Sequence, residues 1–217
     1  MIINQLAPIQ HVNALDKLLA EALASVIKEK LGVKTYQKVE ERLQQRYSLD
    51  VVSAIKEFHT LDATLREFFG AGADNLEKDF LDHLVSLDKK KGQPWITIEN
   101  QDLARLILES YGHREKKLIL DAALQKPGAI LDILETCQIP KSSGYRIINE
   151  IVDDGLLAEE GFTMSEGRKV TLYTALFKNV NIDIQNGNLV AKVMLKENIL
   201  HESYLVKILL TPTPSIK

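Results

Sequence analysis

Several features that define common protein classes are missing from this sequence. It has a single cysteine, Cys137, so a disulfide within one chain and a thiolate metal cluster are both excluded. No apolar run approaches the roughly 18 residues of a membrane-spanning helix. The first 19 residues lack the basic start and the small-residue cleavage site of a secretory signal. We therefore expect a cytoplasmic protein without a membrane partner.

An excess of positive charge is also missing. The chain has 27 lysines and arginines against 30 aspartates and glutamates, a formal net charge of −3. Residues 113–179 alone carry nine basic residues against ten acidic ones. Any contact with a nucleic acid must therefore come from a local cluster of cations and not from the charge of the whole protein.

Residue combinations that indicate catalysis or metal binding are absent too. The five histidines are scattered without ligand spacing, and no Ser-His-Asp set or pair of catalytic carboxylates stands out. The "GAGAD" stretch at residues 70–74 lacks the Lys-Ser/Thr of a phosphate loop. We expect no enzyme activity, no cofactor and no metal site.

What the first part of the chain does contain is helical periodicity. Apolar residues from Leu15 to Leu31 recur at intervals of three and four, and Gly32 follows as a stop. Similar spacing continues in shorter pieces as far as Leu87. These patterns predict an all-helical bundle over residues 13–88, within a first domain that we place at residues 1–88.

A break in composition follows this bundle. Three lysines, a glycine and a proline precede the short β-prone run Trp95–Ile98, and a connecting helix is predicted to end at Gly112. The run could pair with its copy across a twofold axis or lie buried within one chain. We treat residues 89–112 as a linker with a connecting helix.

Residues 113–198 change to a mixed pattern. Three predicted helices, "HREKKLILDAALQKPG", "AILDILETCQI" and "PKSSGYRIINEIVDDG", are followed by a β-rich hairpin around "SEGRKV". This is the element order of a winged helix-turn-helix. A further hairpin turns at Asn186-Gly187, and residues 199–217 form a tail. The predicted fold class is mainly α with a small β wing and hairpin, an α+β protein.

The third helix of this segment carries side chains suited to reading DNA. Pro140 is expected at its start with a serine as cap, and Gly144, Ile148 and Ile151 are expected to face the core. Arginine pairs with guanine, asparagine pairs with adenine, and hydroxyls and lysines contact phosphates. The candidate DNA-binding residues on this helix are Lys141, Ser142, Ser143, Tyr145, Arg146 and Asn149.

Two further basic groups accompany this helix. Arg168 and Lys169 lie on the predicted wing tip, where they could contact phosphates or enter a minor groove. Arg114 and Lys117, with Lys116 between them, cluster at the start of the first helix. We expect the three groups to form one patch.

The motif "SSGYRIINEIVDDGLL" resembles the third helix of winged helix-turn-helix regulators of the ArsR-like and TrmB-like kind. The resemblance spans residues 113–178 and implies that Ser142, Ser143, Tyr145 and Arg146, together with Arg168 and Lys169, lie at DNA. The metal-binding cysteines of arsenic-sensing members are missing. Residues 13–88, above all "FFGAGADNLEKDFLDHL", resemble a thaumarchaeal helical domain named the Nitrososphaera output domain, which implies an archaeal protein with a regulatory role.

The sequence therefore predicts a sequence-specific, double-stranded DNA-binding transcriptional regulator that acts as a homodimer, because a single recognition helix covers few base pairs. The alternative is a non-catalytic adaptor that binds proteins through the same two regions. An interrupted or acidic face would favour the adaptor. An unknown small-molecule or protein effector could bind the N-terminal domain in either case.

Overall fold

A computed structural model describes residues 13–88, 95–196 and 203–210 as a mixed α+β fold. The helices are α1 (Ala14–Tyr47), α2 (Val51–Lys56), α3 (Phe58–Phe69), α4 (Ala73–Asp82), α5 (Gln101–Gly112), α6 (Arg114–Gln125), α7 (Ile130–Thr136), α8 (Lys141–Asp153) and α9 (Tyr204–Leu210). The strands are β1 (Val85–Asp88), β2 (Trp95–Ile98), β3 (Leu157–Ser165), β4 (Arg168–Ala175), β5 (Phe177–Gln185) and β6 (Asn188–Leu195). The lysine run at residues 89–91 and most of the predicted tail lie outside the described residues.

Helix α1 confirms the predicted stop at Gly32. The side chain of Asn13 caps its start by accepting a hydrogen bond from the amide of Leu15 at 2.9 Å. At Gly32 the backbone leaves the helical region, with φ 72° and ψ 158°. Glycine adopts this conformation without steric cost. The range given for α1 therefore contains two helical segments joined by a kink at Gly32, and the predicted apolar stripe ends at that kink.

The all-helical prediction for residues 13–88 was wrong at its end. Residues Val85–Asp88 form strand β1. Val85 is buried and the side chains after it alternate in exposure, as is usual for a strand with one face on the core. Strand β1 pairs antiparallel with β2, which places Val85 opposite Ile98. The stretch Trp95–Ile98 is a strand, as predicted.

A four-stranded antiparallel sheet in the order β1-β2-β6-β5 connects residues from three of the predicted segments. Both edges of β2 are used inside one chain, since β1 lies on one side and β6 on the other, with Ile96 opposite Val193. This excludes pairing of Trp95–Ile98 with its copy across a twofold axis. The predicted turn at Asn186-Gly187 joins β5 and β6, and both of its residues have positive φ.

Helices α6, α7 and α8 and the hairpin β3–β4 follow one another in the predicted order. The hairpin turns at Glu166 and Gly167, whose φ values are 48° and 75°. Strand β4 packs on α6, where the buried hydroxyl of Thr174 donates to the carbonyl of Ala123 at 3.2 Å. The hairpin is therefore fixed to the three helices at its base, while its tip extends into solvent.

The two halves of the described chain share one hydrophobic core. Their backbones also approach closely at Gly155, where an added Cβ atom would lie 2.5 Å from the carbonyl oxygen of Ala14 and 2.6 Å from the amide nitrogen of Leu18. Only a residue without a side chain permits this approach. The end of α8 is thereby held against the first turns of α1. None of the helices within the described ranges has both the length and the hydropathy that crossing a membrane requires.

Candidate functional site

Helix α8 begins immediately after Pro140, which occupies the N-cap position. The prediction that Ser142 or Ser143 caps this helix was wrong, because both serines lie inside its first turn and no side chain makes a cap hydrogen bond. The hydroxyl of Ser143 instead donates back to the carbonyl of Pro140 at 3.3 Å. The first backbone N–H groups of α8 therefore have no side-chain acceptor from the cap position and can receive one from an anion.

The two faces of α8 separate as the apolar spacing predicts. Gly144, Ile147, Ile148 and Ile151 are buried. Gly144 permits a close approach to α7, because a Cβ atom at this position would lie 2.5 Å from Cδ2 of the buried Leu134. The candidate residues point away from this contact: Lys141, Ser142, Tyr145, Arg146 and Asn149 are exposed, and Ser143 is half-buried.

A groove of about 630 Å³ lies between the start of α8 and the hairpin β3–β4. Its walls include Leu131 and Asp132 of α7, Tyr145 of α8, and Thr163, Met164 and Lys169 of the hairpin. The fold thus brings two of the sequence candidates, Tyr145 and Lys169, to one concave surface. Arg168 is exposed beside Lys169 at the hairpin turn.

The apolar residues of the hairpin were missed by the sequence analysis. Phe162 is 57% exposed and Met164 is 62% exposed. The ammonium group of Lys169 lies over the Phe162 ring, 4.2 Å from its centroid, so the aromatic side chain helps to position this cation. The alternation of Phe162 and Met164 with Thr163 and Ser165 could have indicated these exposed apolar side chains, because a two-stranded hairpin leaves one face without a covering layer.

Carboxylates accompany most cations on the helices. Lys141 lies 3.5 Å from Glu135, Arg146 lies 3.6 Å from Glu150 through a spacing of four residues, and Lys117 lies 2.5 Å from Asp121. All of these pairs are on the surface. The positive face is therefore interrupted by negative charge. Exposed pairs of this kind contribute only about 0–1 kcal/mol each, so another anion can displace the carboxylate.

Lys116 differs from its neighbours in the predicted basic cluster. Its side chain is 13% exposed, and its ammonium group lies 2.5 Å from Glu150 and 3.6 Å from Asp154. The hydrogen bond from Lys116 holds the pKa of Glu150 below its ordinary value. Lys116 thus connects α6 to α8 and is unavailable to a ligand.

Arg114 does not join the groove. It lines a second concavity of about 650 Å³ together with His113 and Cys137. Cys137 is half-buried, its thiol donates to the carbonyl of Leu118 at 3.3 Å, and burial raises its pKa. These properties are those of an unreactive thiol. The predicted single patch is accordingly divided, with Arg114 in one concavity and Lys169 in the other.

Comparison with known proteins gives no family for this chain: no protein-family model matches it, and neither does a curated protein or a solved structure. The resemblances of residues 13–88 and 113–178 to regulatory families stay predictions from the sequence.

Proposed function

We propose that this protein is a sequence-specific, double-stranded DNA-binding transcriptional regulator of the winged helix-turn-helix kind. In this proposal α8 is the recognition helix and the hairpin β3–β4 is the wing. The observation that carries it is the groove of about 630 Å³ between the two, because it exposes Tyr145 and Lys169 toward one ligand. A helix beside a cationic hairpin is an arrangement that fits a duplex across neighbouring grooves.

Each exposed side chain has a defined role in this proposal. Arg146 and Asn149 project from the solvent face of α8, where they can pair with guanine and adenine in the major groove. Ser142, Tyr145 and the free N–H groups at the start of α8 are suited to phosphate oxygens. Arg168 and Lys169 contribute charge at the wing, where they neutralise the backbone without reading sequence.

A homodimer is part of the proposal for a physical reason. One recognition helix contacts few base pairs, and dimers gain affinity by occupying two half-sites about 34 Å apart. The pairing surface must lie outside β2, because both edges of that strand are used within the chain.

The decisive experiment selects bound duplexes from a random pool with the purified protein and then measures affinity by fluorescence anisotropy. Arg146→Ala should weaken binding by about 1–3 kcal/mol and relax the sequence preference, since it removes a base contact. Lys169→Ala should lower affinity evenly and reduce the slope of affinity against salt by about one.

The chain offers a matched control for the first substitution. Arg105 on α5 is 65% exposed and pairs with Asp102, whereas Arg146 is 75% exposed and pairs with Glu150, so Arg105→Ala removes the same charge outside the proposed interface. Arg105→Ala should leave affinity unchanged. Equal affinity of the wild type and an Arg146/Arg168 double alanine variant for every duplex tested would overturn the proposal.

The second candidate function is a non-catalytic adaptor that binds another protein through the same region. Two observations favour it: the carboxylates that interrupt the cationic face, and the exposed apolar side chains of Phe162 and Met164 on the hairpin. An adaptor would show no salt-dependent binding to any selected duplex. Phe162→Ser would then abolish partner binding, because exposed aromatic side chains contribute strongly to protein interfaces.

A further inference from the structure

Helices α3 and α4 bring three carboxyl groups together. Asp62 lies on α3, and Asp74 and Glu77 lie on α4, with one oxygen of each within 4.8 Å of the others. The short turn Gly70–Gly72 joins the two helices, and Gly70 has a positive φ of 57° with open space around it. This turn belongs to the "FFGAGADNLEKDF" stretch, and none of the residues in that stretch takes part in the proposed contact with DNA.

Glu77 is the unusual member of the cluster. Its residue is 4% exposed, and its Oε1 atom has no hydrogen-bond partner among the described residues. Its carboxyl group lies beside those of Asp62 and Asp74, so two of the groups near it are themselves acidic. A buried polar oxygen without a partner costs free energy, which a positively charged ligand would offset.

Arg66 supplies part of the compensating charge but does not reach this oxygen. Its Nε atom lies 2.8 Å from Asp62, and its Nη2 atom also contacts Asp74. The guanidinium group is 44% exposed, so it occupies the outer side of the cluster and can move away into solvent. Arg66 therefore pairs with Asp62 and Asp74, whereas Oε1 of Glu77 has no hydrogen-bond partner among the described residues.

We propose that Asp62, Asp74 and Glu77 bind one divalent cation of the oxygen-preferring class, Mg²⁺, Mn²⁺ or Ca²⁺. Metal–oxygen distances of about 2.0–2.6 Å place ligand oxygens on opposite sides of such an ion roughly 4–5 Å apart, which fits the observed separation. Carboxylates are the preferred ligands of these ions, and water completes the coordination. The site includes none of the residues proposed for DNA contact.

The position of the site connects it to the last described helix. Tyr204 begins α9, and its ring stacks on Phe58 of α3 with centroids 5.2 Å apart. Helix α9 also packs against α4, the helix that carries Asp74 and Glu77. A cation bound here would therefore stabilise the packing of α3, α4 and α9 together.

The test uses Mn²⁺ as the probe with the full chain after removal of metals by EDTA. Electron paramagnetic resonance and titration calorimetry should show one bound Mn²⁺ per chain, and the ion should raise the thermal unfolding midpoint. Asp74→Asn keeps the fold because its side chain is 64% exposed, and it should weaken Mn²⁺ binding at least about tenfold. Glu77→Gln should weaken it by a similar factor.

Two further variants separate a built site from general attraction of cations by acidic residues. Asp82→Asn removes an exposed carboxylate from the same helix, outside the cluster, and should leave Mn²⁺ affinity unchanged. Arg66→Met removes the competing cation and should increase affinity. The proposal is overturned if the wild type binds none of the three ions at millimolar concentration. It is equally overturned if Asp74→Asn and Asp82→Asn reduce affinity by the same factor.

Discussion

The contact between the end of α8 and the start of α1 allows us to predict how much a substitution at Gly155 lowers the free energy of unfolding. Two hydrogen bonds close the helix here, from the amide of Gly155 to Val152 and from that of Leu156 to Ile151. Gly155 itself has φ 74°, and any side chain would meet backbone atoms of Ala14 and Leu18 at 2.5–2.6 Å. Because these are backbone atoms of a packed helix, rotation of a side chain cannot relieve the overlap.

Gly155→Ala should therefore carry two separate costs. An alanine in the left-handed region costs about 1–2 kcal/mol, partly offset by about 0.4–1 kcal/mol from the more restricted unfolded chain. Overpacking against α1 adds roughly 1–3 kcal/mol. We expect a net loss of about 2–4 kcal/mol in the free energy of unfolding, a large fraction of the stability of an ordinary domain.

Gly167 is a matched control for the first of these costs. It has nearly the same φ, 75°, but it lies at the hairpin turn with no atom within 4 Å of an added Cβ. Gly167→Ala should thus lose about 1 kcal/mol or less. Urea unfolding followed by circular dichroism measures both variants. Equal losses for the two substitutions would refute the contact between α8 and α1.

Three other perturbations have defined outcomes. Burial raises the pKa of Asp16 from 3.8 to about 6, so its contribution to stability is present below 3.8 and is lost as the pH rises through about 6. Urea unfolding across this window should show that the free energy of unfolding decreases by up to about 3 kcal/mol in the wild type, and that Asp16→Asn removes this decrease. The same dependence of the free energy of unfolding on pH in both proteins would contradict the assignment. Gly144→Ala should destabilise the protein by about 1 kcal/mol, because the overlap of the new methyl group with buried Leu134 outweighs the gain in helix propensity of roughly 1 kcal/mol. A higher thermal unfolding midpoint for this variant would contradict the prediction. Glu150→Gln releases Arg146 and should raise affinity for a selected duplex by up to about fivefold in anisotropy titrations, whereas unchanged affinity argues against Arg146 as a contact.

The parts of the fold that could be predicted are those determined by local sequence. The break at Gly32 follows from the backbone freedom of glycine at the end of an apolar stripe. The exposed face of α8 follows from the spacing of Gly144, Ile148 and Ile151, since residues between buried positions must point outward. The hairpin turn at Asn186-Gly187 follows from the preference of both residue types for positive φ.

The parts that could not be predicted depend on partners distant in the chain. Strand β1 follows directly on helical periodicity, and its strand character becomes evident only beside β2. The sheet order depends on the pairing of Ile96 with Val193. The four residues of β2, alternately half-buried and buried, do not specify a unique register by themselves. The burial of Glu77 was hidden for the same reason, because its helical position does not reveal which elements pack around it.

Charge on the candidate interface shows why residue counts alone mislead. The pair Arg146–Glu150 is readable from a spacing of four residues, and its exposure makes it weak enough for a phosphate to replace the carboxylate. The pair Lys116–Glu150 joins two helices and encloses the lysine to 13% exposure, so this cation has a structural role and is withdrawn from the surface. Glu150 thus pairs with one cation that is exposed, Arg146, and with one that is enclosed, Lys116. In the proposed complex with DNA, Arg146, Arg168 and Lys169 would supply the contacting charges. A measured salt slope should then reflect these few charges and not the full set of basic residues in the segment.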